Sequence, residues 1–245
     1  MKAIIFFIGL LPVASSAYAQ HQKPALQKHS LLLVFRNMVG NNPLQLGEDY
    51  QNPFNETFTV RNFRYFISHI SLEDSSGKKI AGSNDIYLID EADSASRFIH
   101  LSIPAAPIKK IHFIIGIDSI KNVSGVQTGV LDPAKGMFWF WNTGYVMAKL
   151  EGSSGASTIA ANSFTYHIGG YKTGENTVRK IVLDIPLNKQ QPLFDLTINA
   201  DINKWFNHVS AIYIAQTPVC HSPGALAVQI ADNYAGMFSI EAVNK

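Results

Sequence analysis

The sequence predicts an all-β fold, mainly antiparallel and sandwich-like, with a short C-terminal helix. Three observations carry that expectation. Short apolar or alternating runs recur from residue 30 to residue 201 with Gly, Asn, Asp, Ser and Pro between them, the pattern of strands joined by turns. An apolar stripe at helical spacing appears near the end of the chain. No internal repeat or low-complexity linker divides the sequence, so its 47% of hydrophobic residues are expected to serve one core.

The elements follow in order. Residues 1–19 read as a signal peptide: Lys2, an apolar run from Ala3 to Val13, then "ASSAYAQ", in which Ala17 and Ala19 set cleavage after Ala19. The apolar run is too short to span a membrane, and no cysteine follows the cleavage position to carry a lipid. The mature chain, roughly 225 residues long, is expected in the periplasm or the medium. Residues 20–29 read as a flexible tail that includes His21 and His29, and residues 30–245 as a single β domain.

"LLLVF" is the first strand of that domain. "ETFTVRNFRYFISHISLED" gives two strands or one bent strand, and "IYLID", "RFIHLSI" and "KKIHFIIGID" follow. Residues 118–136 have no helical period and are expected to form an ordered loop, because long structureless loops are uncommon in compact domains. Beyond it lie "GYVMAKLEG", "SFTYHIGGY", "VRKIVLDIPL" and "LFDLTINAD". In the last, Phe194, Leu196, Ile198 and Ala200 alternate with polar residues, a half-buried antiparallel pattern. A helical turn is expected at "DINKWF". The final helix is predicted from about Pro223 to Met237, with Ser222 as N-cap, Pro223 at the first helical position, and Leu226, Ile230, Met237 and Phe238 forming its apolar stripe.

Composition narrows the function classes. A net charge of +2 without a Lys/Arg cluster argues against nucleic acid as a partner. The single cysteine, Cys220, excludes an internal disulfide. No G-x-S-x-G, H-E-x-x-H, P-loop or C-x-x-C-H run is present, so no enzyme is expected.

The chemistry that remains lies in histidine, sulfur and tryptophan. Imidazole binds copper, zinc, nickel and iron, and thiolate or thioether partners turn the preference toward Cu(I). His167 stands before Gly169 and Gly170 in "YHIGGY", where glycine lets backbone approach closely. Cys220 and His221 stand together in "CHSPG", which reads either as a metal corner or as a buried thiol beside an exposed imidazole. His69 shares a face with Phe63, Tyr65 and Ile67 if the strand period holds. His100 and His112 read as strand histidines with ordinary hydrogen bonds, and Met137, Met147 and Met237 are further sulfur donors. The pair His167 and His221 is the expected ligand set, with Cys220, a methionine or His69 as secondary candidates. Trp139 and Trp141, two apart in "GMFWFWNTGY", would share a strand face, and one or the other is expected beside the histidines. Asp118, Asn122, Ser124 and Asp132 are oxygen ligands of the calcium type but miss the EF-hand spacing, so calcium is not expected.

Several segments taken together resemble the MbnP-like family of exported copper-binding proteins. They are "PLQLGEDYQN" followed by "FRYFISHISL", "FIIGIDS", "YHIGGY", "HSPGALAVQIADNYAGMF", and above all "GVLDPAKGMFWFWNTGYVMAKLEG". The resemblance runs from Ser30 to Ile240 and is nearest to a Bacteroidetes-type branch. It implies one β-rich domain with a mononuclear copper site made of histidines and a tryptophan oxidised to kynurenine, the oxidation being linked to a di-haem partner of the peroxidase type. The expected function is therefore copper binding outside the cytoplasm for acquisition, storage or handling. The alternative is a metal-free binding or adhesion module that uses the aromatic loop to hold a partner or glycan.

Overall fold

The computed structural model describes residues 28–142, 144–186 and 193–241. Residues 1–27, with the expected signal peptide and His21, lie outside the described residues. Strand β1 (Lys28–Val39) begins inside the segment expected to be a tail. His29 is the reason: its Nε2–H donates to the Leu193 carbonyl at 2.8 Å and its ring meets Phe194 edge-on at 5.1 Å.

After β1 come β2 (Asn42–Pro43), β3 (Asp49–Gln51), the long β4 (Thr57–Glu73) and β5 (Lys79–Asp90). Next are β6 (Phe98–Pro104), β7 (Lys110–Ile115), helix α1 (Ser119–Val123), β8 (Phe138–Trp139), β9 (Gly144–Ser154) and β10 (Ser163–Gly169). The chain closes with β11 (Arg179–Asp184), β12 (Asp195–Asp201), α2 (Asn203–Phe206), β13 (Val219–Cys220), α3 (Ala225–Ala235) and β14 (Phe238–Ile240). A five-stranded sheet has the order β14-β12-β1-β2 with β6 also on β1. A nine-stranded sheet has the order β11-β7-β4-β9-β10-β13 with β3 and β5 on β4 and β8 on β9. The fold is all-β, as the patterning predicts.

Most pairings are antiparallel, but β12 runs parallel to β1, which differs from the reading of "LFDLTINAD". Alternation reports which face is buried and carries no information on partner direction. Leu196, Ile198 and Ala200 are buried as the alternation requires, while Phe194 is 60% exposed just before the strand starts.

β4 is one bent strand, not two. Its first half pairs with β9 through Phe58–Tyr65, and its second half with β7 through Ile67–Glu73. Register shifts lie between Val60 and Asn62 against β9 and between Ser68 and Ile70 against β5. His69 sits in the second shift with φ +52°, a left-handed conformation uncommon for a non-glycine residue. The bulge breaks the two-residue period, so Phe63, Tyr65 and Ile67 point into the core while His69 does not.

The two sheets meet across aromatic rings. Phe35 of β1 packs edge-on against Tyr65 and Phe113 of the larger sheet, and Phe238 of β14 touches Phe113 at 5.0 Å. A smaller cluster of Phe66, Leu88, Ile117, Leu131, Met137, Trp139, Tyr145, Val146 and Met147 lies beside this core. It is roofed by residues 118–136, which contain α1 and two short 3₁₀ turns. Tyr145 ties that segment down: its N–H donates to Asn122 Oδ1 at 2.7 Å and its hydroxyl to the Leu131 carbonyl at 2.9 Å.

At the C-terminus the helix covers Ala225–Ala235 and buries Ala227, Ile230, Ala231 and Tyr234. It is shorter than predicted at both ends. Gly224, at φ +144° and without a side-chain cap, precedes it in place of Ser222 and Pro223, a conformation that only glycine adopts readily. Gly236 ends it, which frees Phe238 to join β12 in the smaller sheet. Among the described residues no helix is long and apolar enough to cross a membrane.

Candidate functional site

The outer face of the larger sheet carries a polar row that its strand register assembles. Lys149 of β9 lies between Arg64 of β4 and His167 of β10, and Glu151 lies between Asn62 and Thr165. These residues share one face because strand side chains alternate, and their neighbours Phe63, Leu150 and Tyr166 fill the core face. β13 runs parallel to β10, pairing Cys220 with Tyr166. His221 therefore follows onto the outer face, and its ring stacks on His167 at 4.4 Å between centroids with 27° between planes.

Glu151 organises the pair. His167 Nε2 lies 2.6 Å from Glu151 Oε1, and Asn62 Nδ2 donates to Glu151 Oε2 at 3.0 Å. The bond to His167, with lesser help from the Lys149 charge and Asn62, holds the Glu151 carboxyl down at about 2, well below its ordinary 4.5. An ionised carboxylate accepts only, so Nε2 of His167 carries a proton, and in the neutral imidazole it is Nδ1 that holds the lone pair. Burial lowers the pKa of His221, and the neighbouring His167 imidazole and Lys149 ammonium act in the same direction against an opposing Glu151. Burial also lowers Lys149, whose ammonium donates to the Gly136 carbonyl at 2.5 Å. Arg64 pairs with Asp90 at 2.9 Å and donates to the Lys135 carbonyl at 2.8 Å. Two cations from adjacent strands thus anchor the segment that leads into the tryptophans.

Trp139 is 6% exposed and Trp141 is 65% exposed. The chain turns after Trp139, so the two indoles do not occupy one strand; they touch across the turn at 5.4 Å with 40° between planes. The glycines after His167 explain where Trp139 lies. A Cβ on Gly169 would sit 2.7 Å from Trp139 Cζ3 and 2.7 Å from the Tyr145 carbonyl oxygen, so the indole lies directly against bare backbone. Gly170, at φ +136°, would bring a Cβ into the Glu175 carbonyl. Beside the indoles opens a cleft of about 310 Å³, lined among others by Trp139, Trp141, Tyr171, Lys172, Glu175 and Ser222.

The other sequence candidates lie elsewhere. Cys220 is 6% exposed on the core face, and burial pushes its thiol up to about 11. Its sulfur and the two imidazoles are on opposite sides of the sheet. Met137, Met147 and Met237 are buried; the Met147 sulfur accepts the Ile117 N–H and the Met237 sulfur the Trp205 indole N–H. His69 Nδ1 lies 3.2 Å from Ser68 Oγ, and its Nε2 is 3.8 Å from Asp118. The Ser68 hydroxyl is fully buried and donates to the Gly116 carbonyl, so this Ser–His–Asp grouping presents no nucleophile. His112 pairs with Glu73 at 2.8 Å, and His100 and His208 are exposed. The four oxygen residues of the 118–136 segment serve its own folding: Asp118 caps α1, Asp132 caps the turn at Pro133, Asn122 accepts from Tyr145, and Ser124 donates to the Ile120 carbonyl.

Glu151, Lys149 and Asn62 are site residues that the sequence reading missed. The only sequence signal was the two-residue spacing of Lys149 and Glu151 in "KLEG", which gives them a common face and says nothing of what lies across from it. Among the described residues, no group of three or more His, Cys, Asp or Glu side chains is arranged to hold a metal ion.

Comparison with known proteins agrees with the architecture. The family model for MbnP matches residues 28–222. A solved structure, MbnP from Methylosinus trichosporium, superimposes with a TM-score of 0.58 at 14% identity, covering 89% of this chain and 100% of that one. At that identity the likeness to the solved structure is one of fold. No curated protein matches the sequence. The chain belongs to the MbnP family.

Proposed function

We propose that this member of the MbnP family binds a copper ion outside the cytoplasm, in acquisition, storage or handling, and performs no catalysis of its own. One observation carries the reading: Glu151 holds the Nε2–H of His167, leaving Nδ1 as a lone-pair donor beside a second imidazole. Metal-binding histidines characteristically give their other N–H to a carboxylate, which fixes the tautomer and raises ligand basicity. The lowered pKa of His221 keeps the second imidazole neutral and able to ligate at neutral pH.

The donor set selects among metals. Two imidazoles fit Cu(I), a soft monovalent ion content with few ligands, better than a structural zinc site with its four protein ligands. Lys149 and Glu151 cancel in charge, which also favours a monovalent over a divalent ion. The rings are stacked and not convergent, so capture requires His221 to turn, and its exposure leaves it room to do so. Copper bound there would be held by His167 and His221, with Glu151 and Asn62 fixing the first of them. The di-haem partner and the oxidation of Trp139 or Trp141 belong to the same proposal, since both indoles lie beside the loop that follows His167.

The test is anaerobic loading of the mature chain with Cu(I) against a competing chelator. The His167→Ala, His221→Ala double variant is expected to lose the bound copper; wild-type stoichiometry and affinity in that variant would overturn the site. Peptide mass mapping of protein from its native host checks the indoles, and unmodified Trp139 and Trp141 would remove oxidation from the proposal.

A further inference from the structure

We infer that the cleft beside the indoles is a second binding site, for a neutral saccharide ring, separate from the imidazole pair. Trp141 presents a large aromatic plate to solvent, 65% exposed. Trp139 holds that plate in position: it is 6% exposed, wedged against the bare backbone of Gly169, and touches Trp141 at 5.4 Å. A plate fixed before the ligand arrives loses little freedom on binding. The volume, about 310 Å³, lies at the lower end of small-molecule sites, the scale of one or two sugar rings.

The rest of the lining selects the ligand class. The residues that line the cleft carry a phenol (Tyr171), an ammonium (Lys172), a carboxylate (Glu175), a hydroxyl (Ser222) and an amide (Asn142). Among the described residues neither Lys172 nor Glu175 is in an ion pair. A purely apolar ligand would strip water from these groups and give them no partner. An anion or a cation would meet a rim whose two charges oppose each other, and an exposed ion pair adds little in water. A sugar ring satisfies both halves of the site. Its polarised C–H face rests on the electron-rich face of the indole, and its hydroxyls both donate and accept around the rim.

The mature chain is titrated with cellobiose, maltose and N,N′-diacetylchitobiose, reading indole fluorescence and saturation-transfer NMR of the sugar protons. At least one of the three is expected to saturate both signals. Trp141→Ala, with an unchanged far-ultraviolet dichroism spectrum, is expected to weaken that sugar by about fivefold to a hundredfold, the range that stacking on a single aromatic ring contributes; Trp141→Phe, which keeps a flat ring, restores most of it. Glu175→Gln is expected to weaken the sugar several-fold and keep wild-type copper stoichiometry. No saturation by any of the three sugars overturns the inference. So does saturation by N-acetyl-tryptophanamide without the sugars, which would make the cleft an aromatic-peptide site, and so does undiminished sugar binding in both Trp141→Ala and Glu175→Gln. Failure of the copper reading registers in Cu(I) loading of the mature chain and its histidine variants and leaves the sugar titrations unmoved, so the two outcomes stay distinct.

Discussion

Tyr166 and Cys220 are register partners on the core face of β10 and β13, and His167 and His221, one residue later in each segment, are stacked on the outer face. The inner pair is buried, and burial pushes the thiol up to about 11 and the phenol higher still. The outer pair is part-exposed; His167 is bonded to an ionised carboxylate through Nε2, which leaves Nδ1 as its only possible lone-pair donor. A shift of one residue separates inert packing from usable chemistry. The same alternation that builds the core decides which of two adjacent metal-binding residue types, Cys220 or His221, can act.

The sharpest way to break this comparison is to remove mass from the inner face. Phe164, fully buried on β10, packs against Phe58, Tyr166 and Phe206. Phe164→Ala is expected to lower the unfolding free energy by about 3–5 kcal/mol, read by urea denaturation. A loss below about 0.5 kcal/mol, within the scatter of surface substitutions, would mean that the faces are assigned wrongly.

Gly169→Ala tests the point where the two regions meet the indoles. Its methyl would press on Trp139 and the Tyr145 carbonyl at 2.7 Å. Overpacking of this kind costs about 1–3 kcal/mol. The tryptophan emission should shift to the red as Trp139 is pushed toward water; an unmoved spectrum at full stability would show that the indole does not lie on that glycine.

The strand periods, the single late helix and the family resemblance were legible in the sequence because each is a local or linear pattern. Leu196, Ile198 and Ala200 on β12, or Ile230 on α3, announce their burial by spacing alone. What could not be read is what pairing decides. Nothing near Glu151 says that His167 lies across from Lys149, that β12 runs parallel to β1, or that the bulge at Ser68–Ile70 turns His69 out of its expected face. His167 and His221 were singled out on residue type and glycine context, and their proximity follows from a two-residue parallel bridge far too short to predict. Trp139 and Trp141 were placed on one strand face because the turn after Trp139 carries its signal only in "NTG", beyond both of them.

Glu151→Gln sharpens the outer half of the comparison. The amide keeps the shape and loses the charge that fixes the His167 tautomer, so metal affinity is expected to fall by about 10–100-fold, measured by chelator competition. The pH dependence has a definite sign. With its folded value near 2 and its ordinary value 4.5, Glu151 stabilises the fold fully above 4.5, and that contribution is lost as pH falls from 4.5 toward 2, where the unfolded chain binds more protons. His221 acts in the same direction at higher pH: its folded value lies below 6.5, so stability falls as pH drops beneath 6.5 until the folded imidazole protonates as well. Thermal denaturation across that range should show both limbs in the wild type. Glu151→Gln should make the limb below about 4.5 shallower, leaving the part that belongs to other carboxylates held low, such as Asp74; an identical acid limb in the variant would place the carboxylate's partner elsewhere.

The smallest effect is expected at Cys220, and it bears most directly on why position on a strand outranks residue type. A thiol next to a histidine invites a reading as a soft-metal ligand, yet the strand turns Sγ toward Tyr166 and the core. Thiolate is both the nucleophile and the ligand, and a thiol held near 11 supplies almost none of it at neutral pH. A thiol reagent at mildly alkaline pH is therefore expected to label Cys220 in denaturant and to leave the folded chain essentially untouched. Cys220→Ala removes one buried sulfur from a well-packed wall and should cost about 1 kcal/mol, with copper stoichiometry and affinity unchanged. Loss of copper in that variant, with the dichroism spectrum preserved, would mean that the metal draws its ligand from the core side, and the division of labour between the two faces would fail.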